Sequence, residues 1–244
     1  MRETALERRL ILILSILSLI PPLLIGFSSH APQDDPSRGI VIAPAYLAIC
    51  VLGVVAAFYP ATCSRLLSLP RRRGDFRAER GLSSSRTLSH HLSCGGFRYH
   101  EFNLVGRRLC VGCTGMIVGA AASSLLVVAY FTRNPGPSLA NHLLVAGVLL
   151  VALELTQTLL LDVERRALRF SLNVLFVIGV SAILIGEDML RKSLQIDSYM
   201  LVLALFWLYV RIRSSQLNHE RVCDKCDLVC PLDKSAPTEA LNKD

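Results

Sequence analysis

No glycine-rich phosphate loop of the Walker or dinucleotide type occurs in this chain, so nothing in it is built to cradle a nucleotide's phosphates. No repeat of fixed period is present, which excludes solenoids and propellers. No Ser/His/Asp arrangement and no paired carboxylates beside a nucleophile stand out, so the reading leans away from an enzyme. Charge is scarce: Asp, Glu, Lys and Arg make up 18% of 244 residues. The one strongly basic run, residues 70–80, contains Phe76 as its single aromatic, so bases would find no stacking platform and nucleic acid is not the expected partner.

Apolar sequence fills the space these absences leave. The chain is 52% hydrophobic with a mean hydropathy of +0.47, and its apolar residues fall in long runs. This predicts an all-α polytopic membrane protein with about six transmembrane helices. The expected spans are residues 10–27, 40–59, 114–131, 142–161, 170–186 and 196–212, each near the ~20 residues that cross a bilayer core. The organisation follows as two spans in 1–60, a basic water-facing loop in 61–113, four spans in 114–212 and a polar tail in 213–244.

Local breakers refine these spans. Pro21-Pro22 removes two backbone donors and predicts a kink or break in the first span. That span also looks like a signal peptide, with a basic start and a small-residue site at Ser29-His30-Ala31, but its apolar run is long for one, and retention is the expected outcome. Gly115, Gly119 and Ser123 recur every four residues, a face suited to close helix packing. Cys50 reads as core, Cys63 as an interfacial residue, and Trp207 and Tyr209 as members of an interfacial aromatic belt.

Charge also orients the chain. Of 26 Lys and Arg, 22 fall on the side that holds both termini, the 61–113 loop and the 162–169 loop. The opposite side has Arg38, Arg133, Arg191 and Lys192 alone. The positive-inside rule then places both termini in the cytoplasm. The net charge of +7 is explained the same way, and Arg71–Arg73 form an expected contact for anionic lipid.

Six of the eight cysteines lie in segments on that side, where the milieu is reducing and metal ligation is favoured over disulfides. His91-x2-Cys94, fifteen residues, then Cys110-x2-Cys113 is the two-knuckle spacing of a zinc ribbon with His in place of one Cys, and predicts a small cytoplasmic metal-binding hairpin; His90 and His100 compete for the nitrogen position. Each x2 turn aims two donors at one tetrahedral ion, and Arg107 and Arg108 could favour the thiolates. In the tail, His219, Cys223, Cys226 and Cys230 offer a second three-sulfur, one-nitrogen set for Zn2+. The same run, C-x2-C-x3-C-P, also matches the end of a bacterial ferredoxin motif, with Glu220 where the first cysteine would stand. A 4Fe–4S cluster is therefore the alternative cofactor. A metal shared between loop and tail would require the third and sixth spans to be neighbours.

Glu154 lies inside the fourth span, where a carboxylate costs about 3 kcal/mol on insertion scales. It reads equally as a proton or cation relay and as an interhelical hydrogen-bonding residue, with Thr156 and Gln157 close by and Asn173 as a plausible partner. Glu187 and Asp188 fall at a span boundary and call for no special role.

The segment Cys94, Cys110, Cys113, Gly115, Gly119 resembles an uncharacterised family of small prokaryotic multi-span membrane proteins. In that family a Cys/His element is followed by C-x2-C-x-G-x3-G entering a transmembrane helix. The resemblance covers roughly residues 88–120 and implies a metal-bearing membrane protein without an assigned activity. The expected function is a membrane protein with a zinc-stabilised cytoplasmic module that is structural or docks a membrane or cytoplasmic protein. The alternatives are an iron–sulfur carrier passing electrons to a partner or quinone, and an ion-coupled transporter using Glu154.

Overall fold

A computed structural model describes residues 2–28, 35–58, 87–88, 101–104, 107–133, 135–160 and 165–224. Among the described residues seven α-helices run in chain order: α1 Arg2–Leu17, α2 Ile20–Gly26, α3 Arg38–Phe58, α4 Val111–Arg133, α5 Ala140–Leu160, α6 Arg166–Arg191 and α7 Leu194–Asp224. With α1 and α2 taken as one interrupted segment, six segments are long and apolar enough to cross a membrane. Large apolar side chains such as Leu24, Ile40, Leu125, Leu149 and Val202 point outward, as lipid-facing residues do.

The first segment breaks where the sequence predicts. α1 stops at Leu17, and α2 restarts with prolines in its first turn, where missing N–H groups cost nothing. The gap exposes polar groups that find partners: Trp207 Nε1 donates to Ser18 Oγ at 2.7 Å. Trp207 is 1% exposed, so it is a core residue bonded to the break and not part of an interfacial belt; Tyr209 does face outward. Cys50 is buried, as expected for core.

The helix α6 is the centre of the bundle. Its span is 61% buried against 22–39% for the other five. It packs most closely on α5 and α4, and also touches α2 and α7. The small residues of α4 explain the approach. A Cβ at Gly115 would lie 2.7 Å from the Phe170 carbonyl oxygen, and one at Gly119 would lie 3.0 Å from that of Val174. Gly147 of α5 and Gly179 of α6 make the same kind of crossing, backbone against backbone. Ser123 and Ser181 meet on the α4–α6 seam, with Ser181 Oγ donating to Ser123 Oγ at 3.4 Å.

Two boundaries differ from the sequence reading. α7 continues to Asp224, so the first dozen residues of the expected tail are helical and His219 and Cys223 lie on that helix. Ahead of α4, where a small Cys/His metal-binding hairpin was expected, the described residues carry β structure and no metal-binding group. Strands β1 Thr87–Leu88, β2 Glu101–Leu104 and β3 Arg107–Cys110 form a sheet in the order β1-β3-β2. β2 and β3 are antiparallel, with Glu101 opposite Cys110, and β3 passes straight into α4. Outside the hydrocarbon a segment can pair its backbone between strands, which helical periodicity in the spans does not foretell.

Candidate functional site

The alternation of segments defines two ends. The terminal end holds the start of α1, the sheet and the close of α7; the turn end holds the α2–α3, α4–α5 and α6–α7 connections. Each end buries a cluster of charged side chains.

At the terminal end Glu154 of α5 is fully buried. Its Oε1 sits 2.7 Å from Arg211 Nε of α7 and accepts a 2.7 Å hydrogen bond from Thr158 Oγ1. Arg211 also donates from Nε and Nη2 to Asn173 Oδ1 of α6, at 3.0 and 2.6 Å. The Asn173 amide in turn donates to the Arg169 carbonyl at 2.6 Å, which fixes its orientation. Asn173 is thus joined to Glu154 as the sequence suggested, but through Arg211, which the sequence reading counted only as a charge of the tail. One guanidinium ties three helices. Two further ties flank it: Arg213 bonds both carboxylate oxygens of Glu7 at 2.7 and 2.8 Å, and Asn218 donates to the Thr158 carbonyl at 3.0 Å while accepting from Arg8.

The same guanidinium faces the start of α4. A Cβ at Gly112 would lie 3.3 Å from Arg211 Nη2. Cys110, at the end of β3, and Cys113, in the first turn of α4, lie within hydrogen-bonding reach of each other. The hydroxyl of Thr114 donates to the Cys110 carbonyl at 2.8 Å and steadies this junction. Two adjacent sulfurs on one short turn, beside a cation, fit half of a tetrahedral zinc shell. The cation is Arg211; the side chains of Arg107 and Arg108, expected in that role, are outside the described residues, as are Cys63 and Arg71–Arg73. Of the other proposed ligands, His91, Cys94, Cys226 and Cys230 also lie outside them. His219 and Cys223 are described in backbone alone, four residues apart on α7. Among the described residues no three His, Cys, Asp or Glu side chains converge on a point that could hold an ion. The third span packs chiefly on the second and fifth; the sixth reaches it at this end, through Arg211.

The turn end is where sequence reasoning missed most. Glu187 and Asp188, set aside as boundary residues, are fully buried, as is Asp197 of α7; Arg38 and Arg191 are 8% and 4% exposed. Tyr130 of α4 donates its hydroxyl to Asp188 Oδ2, and Arg38 Nε approaches Asp188 Oδ1 to 3.4 Å. Arg191 donates to the carbonyls of Ile25, Gly26 and Ser28, at and just beyond the end of α2. Its charge also faces Glu187. The turn leading into α3 is anchored outside the spans: the hydroxyl of Ser37 and its N–H donate to Asp35 Oδ1 at 2.7 and 2.9 Å, holding that carboxyl below the usual range. One signal in the sequence pointed here: three acids and two arginines within a few residues of span ends that otherwise carry little charge.

No family profile matches this chain, and no curated protein and no solved structure shows significant similarity to it.

Proposed function

We propose that this chain is an integral membrane protein with both termini in the cytoplasm, whose cytoplasmic face carries a zinc-stabilised Cys/His module that docks a protein partner. The observation that supports the reading is the junction of β3 and α4, where the Cys110 and Cys113 thiols sit side by side against Arg211. Zinc would complete its shell with His91 and Cys94, and hold a short sheet that has too little apolar area to stay folded alone. The tail set of His219, Cys223, Cys226 and Cys230 forms the second site; residues four apart on a helix share a face, which suits His219 and Cys223 as joint ligands. The orientation rests on the 22 of 26 basic residues at the terminal end.

Glu154 fits this picture as a structural tie. Its carboxylate is matched by a guanidinium that also bonds α6, an arrangement suited to holding helices together more than to passing a proton. The iron–sulfur alternative uses the same thiols, and one experiment separates the two. Protein purified without oxygen and analysed for metals should be colourless with stoichiometric zinc, and Cys110→Ser should lose the module's share. A brown sample absorbing in the visible and containing iron and sulfide would replace the zinc reading with the redox one. A metal-free preparation that still folds the module would overturn both.

A further inference from the structure

We infer that Asp197 and Asp188 form a proton-binding site at the turn end, in which a single proton is held between the two carboxyls. The geometry makes the case without reference to the metal module. Asp197 lies against Asp188, and both are fully buried. Among the described residues no hydrogen-bond donor reaches either oxygen of Asp197, and Asp188 Oδ1 has the 3.4 Å approach of Arg38 Nε but no hydrogen bond. Buried carboxylate oxygens left in this state are rare, because each forfeits its hydration and gains nothing in return. One proton removes the defect at both residues. A neutral Asp197 supplies the O–H that Asp188 Oδ1 lacks, and Asp188 stays an anion held by Tyr130 and by Arg38.

The charge count gives the same answer. The charged or titratable groups facing the pair are Arg38 from α3, Tyr130 from α4 and Glu187 from α6; Arg191, also from α6, faces Glu187 and is bonded to the end of α2. Two carboxyls therefore share one guanidinium, and one proton makes the group neutral. Asp197 lies in the first turn of α7, where the helix dipole favours an anion, but that attraction is weak beside the cost of an unpaired buried charge. A metal cation suits the site less well than a proton. Arg38 would repel it, and no third ligand converges there among the described residues. Arg38 begins α3 directly after the exposed Ser37, so solvent protons have a short route in.

A proton shared between the two carboxyls is bound by the folded arrangement and is lost when unfolding separates them. Stability therefore falls as pH rises through the range in which the pair lets go. The test uses full-length protein in detergent or nanodiscs, with thermal unfolding followed from about pH 5 to pH 9. Wild type should lose thermal stability as pH rises, with a slope of about one proton. Asp197→Asn, which keeps the shape and carries its own donor, should lose that slope and match or exceed wild type at the alkaline end. A pH-independent wild type, or an Asp197→Asn variant with an unchanged slope, would overturn the proposal. So would alkaline stabilisation by sodium or lithium that Asp197→Asn abolishes, since that identifies a cation site. If the variant fails to fold, wild type with isotope-labelled aspartate still decides the matter. Its infrared spectrum at neutral pH should contain the C=O stretch of a protonated carboxylic acid, and the absence of that band rejects the site.

Discussion

The two ends of the bundle both bury charge, yet they balance it differently. At the terminal end one carboxylate, Glu154, meets one guanidinium, Arg211, and neutral groups from Thr158 and Asn173 fill in around them. At the turn end three buried carboxyls are set against two arginines, and one arginine is largely occupied with the carbonyls of α2. A matched pair with supporting hydrogen bonds is a fixed joint. An unmatched set is neutral only with a proton added, so its strength depends on the medium. The comparison teaches that burial alone does not identify a working carboxylate; what matters is whether its counter-charge is complete.

The sharpest way to break the comparison is at Arg211. Arg211→Leu leaves Glu154 buried without a counter-charge and should cost about 3–5 kcal/mol in reversible unfolding from detergent. Adding Glu154→Gln to that variant should restore much of the loss, because the stranded charge is gone. A loss below about 1 kcal/mol for Arg211→Leu would mean the pair is no joint at all. Next is Arg38→Gln at the turn end. It should cost about 1.5–3 kcal/mol at alkaline pH and clearly less in mild acid, because a protonated carboxyl needs no guanidinium. Denaturant titration at the two pH values checks it, and an equal cost at both would erase the distinction between the ends.

Gly115→Ala tests the rigidity of the terminal end. Its Cβ would press on the Phe170 carbonyl, whose backbone has no room to yield, and about 1–3 kcal/mol should be lost. Gly136→Ala, where a Cβ meets nothing within 4 Å, should show almost no change under the same assay. The smallest effect is expected for Tyr130→Phe, about 0.6 kcal/mol and at most ~1.7, as for single hydrogen bonds inside membranes. Its value lies in direction: without the Tyr130 donor the Asp188 anion is less favoured, so the pH at which thermal stability falls should move upward.

Much of the frame was legible in the chain. Six apolar runs of span length became six helical segments, and Pro21-Pro22 marked the break between α1 and α2. Gly115 and Gly119 pointed to a tight crossing, which the α4–α6 contact provides. Glu154 stood out because an isolated acid in an apolar run is costly wherever it faces. Its partner did not stand out, since Arg211 sits close to a span end where basic residues are ordinary. The turn-end cluster was hidden for a related reason. Glu187, Asp188 and Asp197 flank a two-residue connection, and a linear reading assigns such residues to water. They are buried because α2, α3 and α4 also end there and close over them, which is a fact of assembly and not of local sequence. Trp207 was misjudged likewise: its depth follows from a helix break some 190 residues earlier in the chain. The metal ligands are a proposal read from spacing: Cys110 and Cys113 are adjacent, and His91, Cys94, Cys226 and Cys230 belong to segments outside the described residues.

The central position of α6 bears on how this protein is made. As α6 leaves the ribosome it brings Asn173, Glu187, Asp188 and Arg191 toward the bilayer, while Arg211 and Asp197 are still unsynthesised. Lipid offers those groups no partners, so α6 has reason to wait beside the insertion machinery until α7 arrives and the two can enter as a hairpin. The sixth span would then be the one that commits the fifth to the membrane.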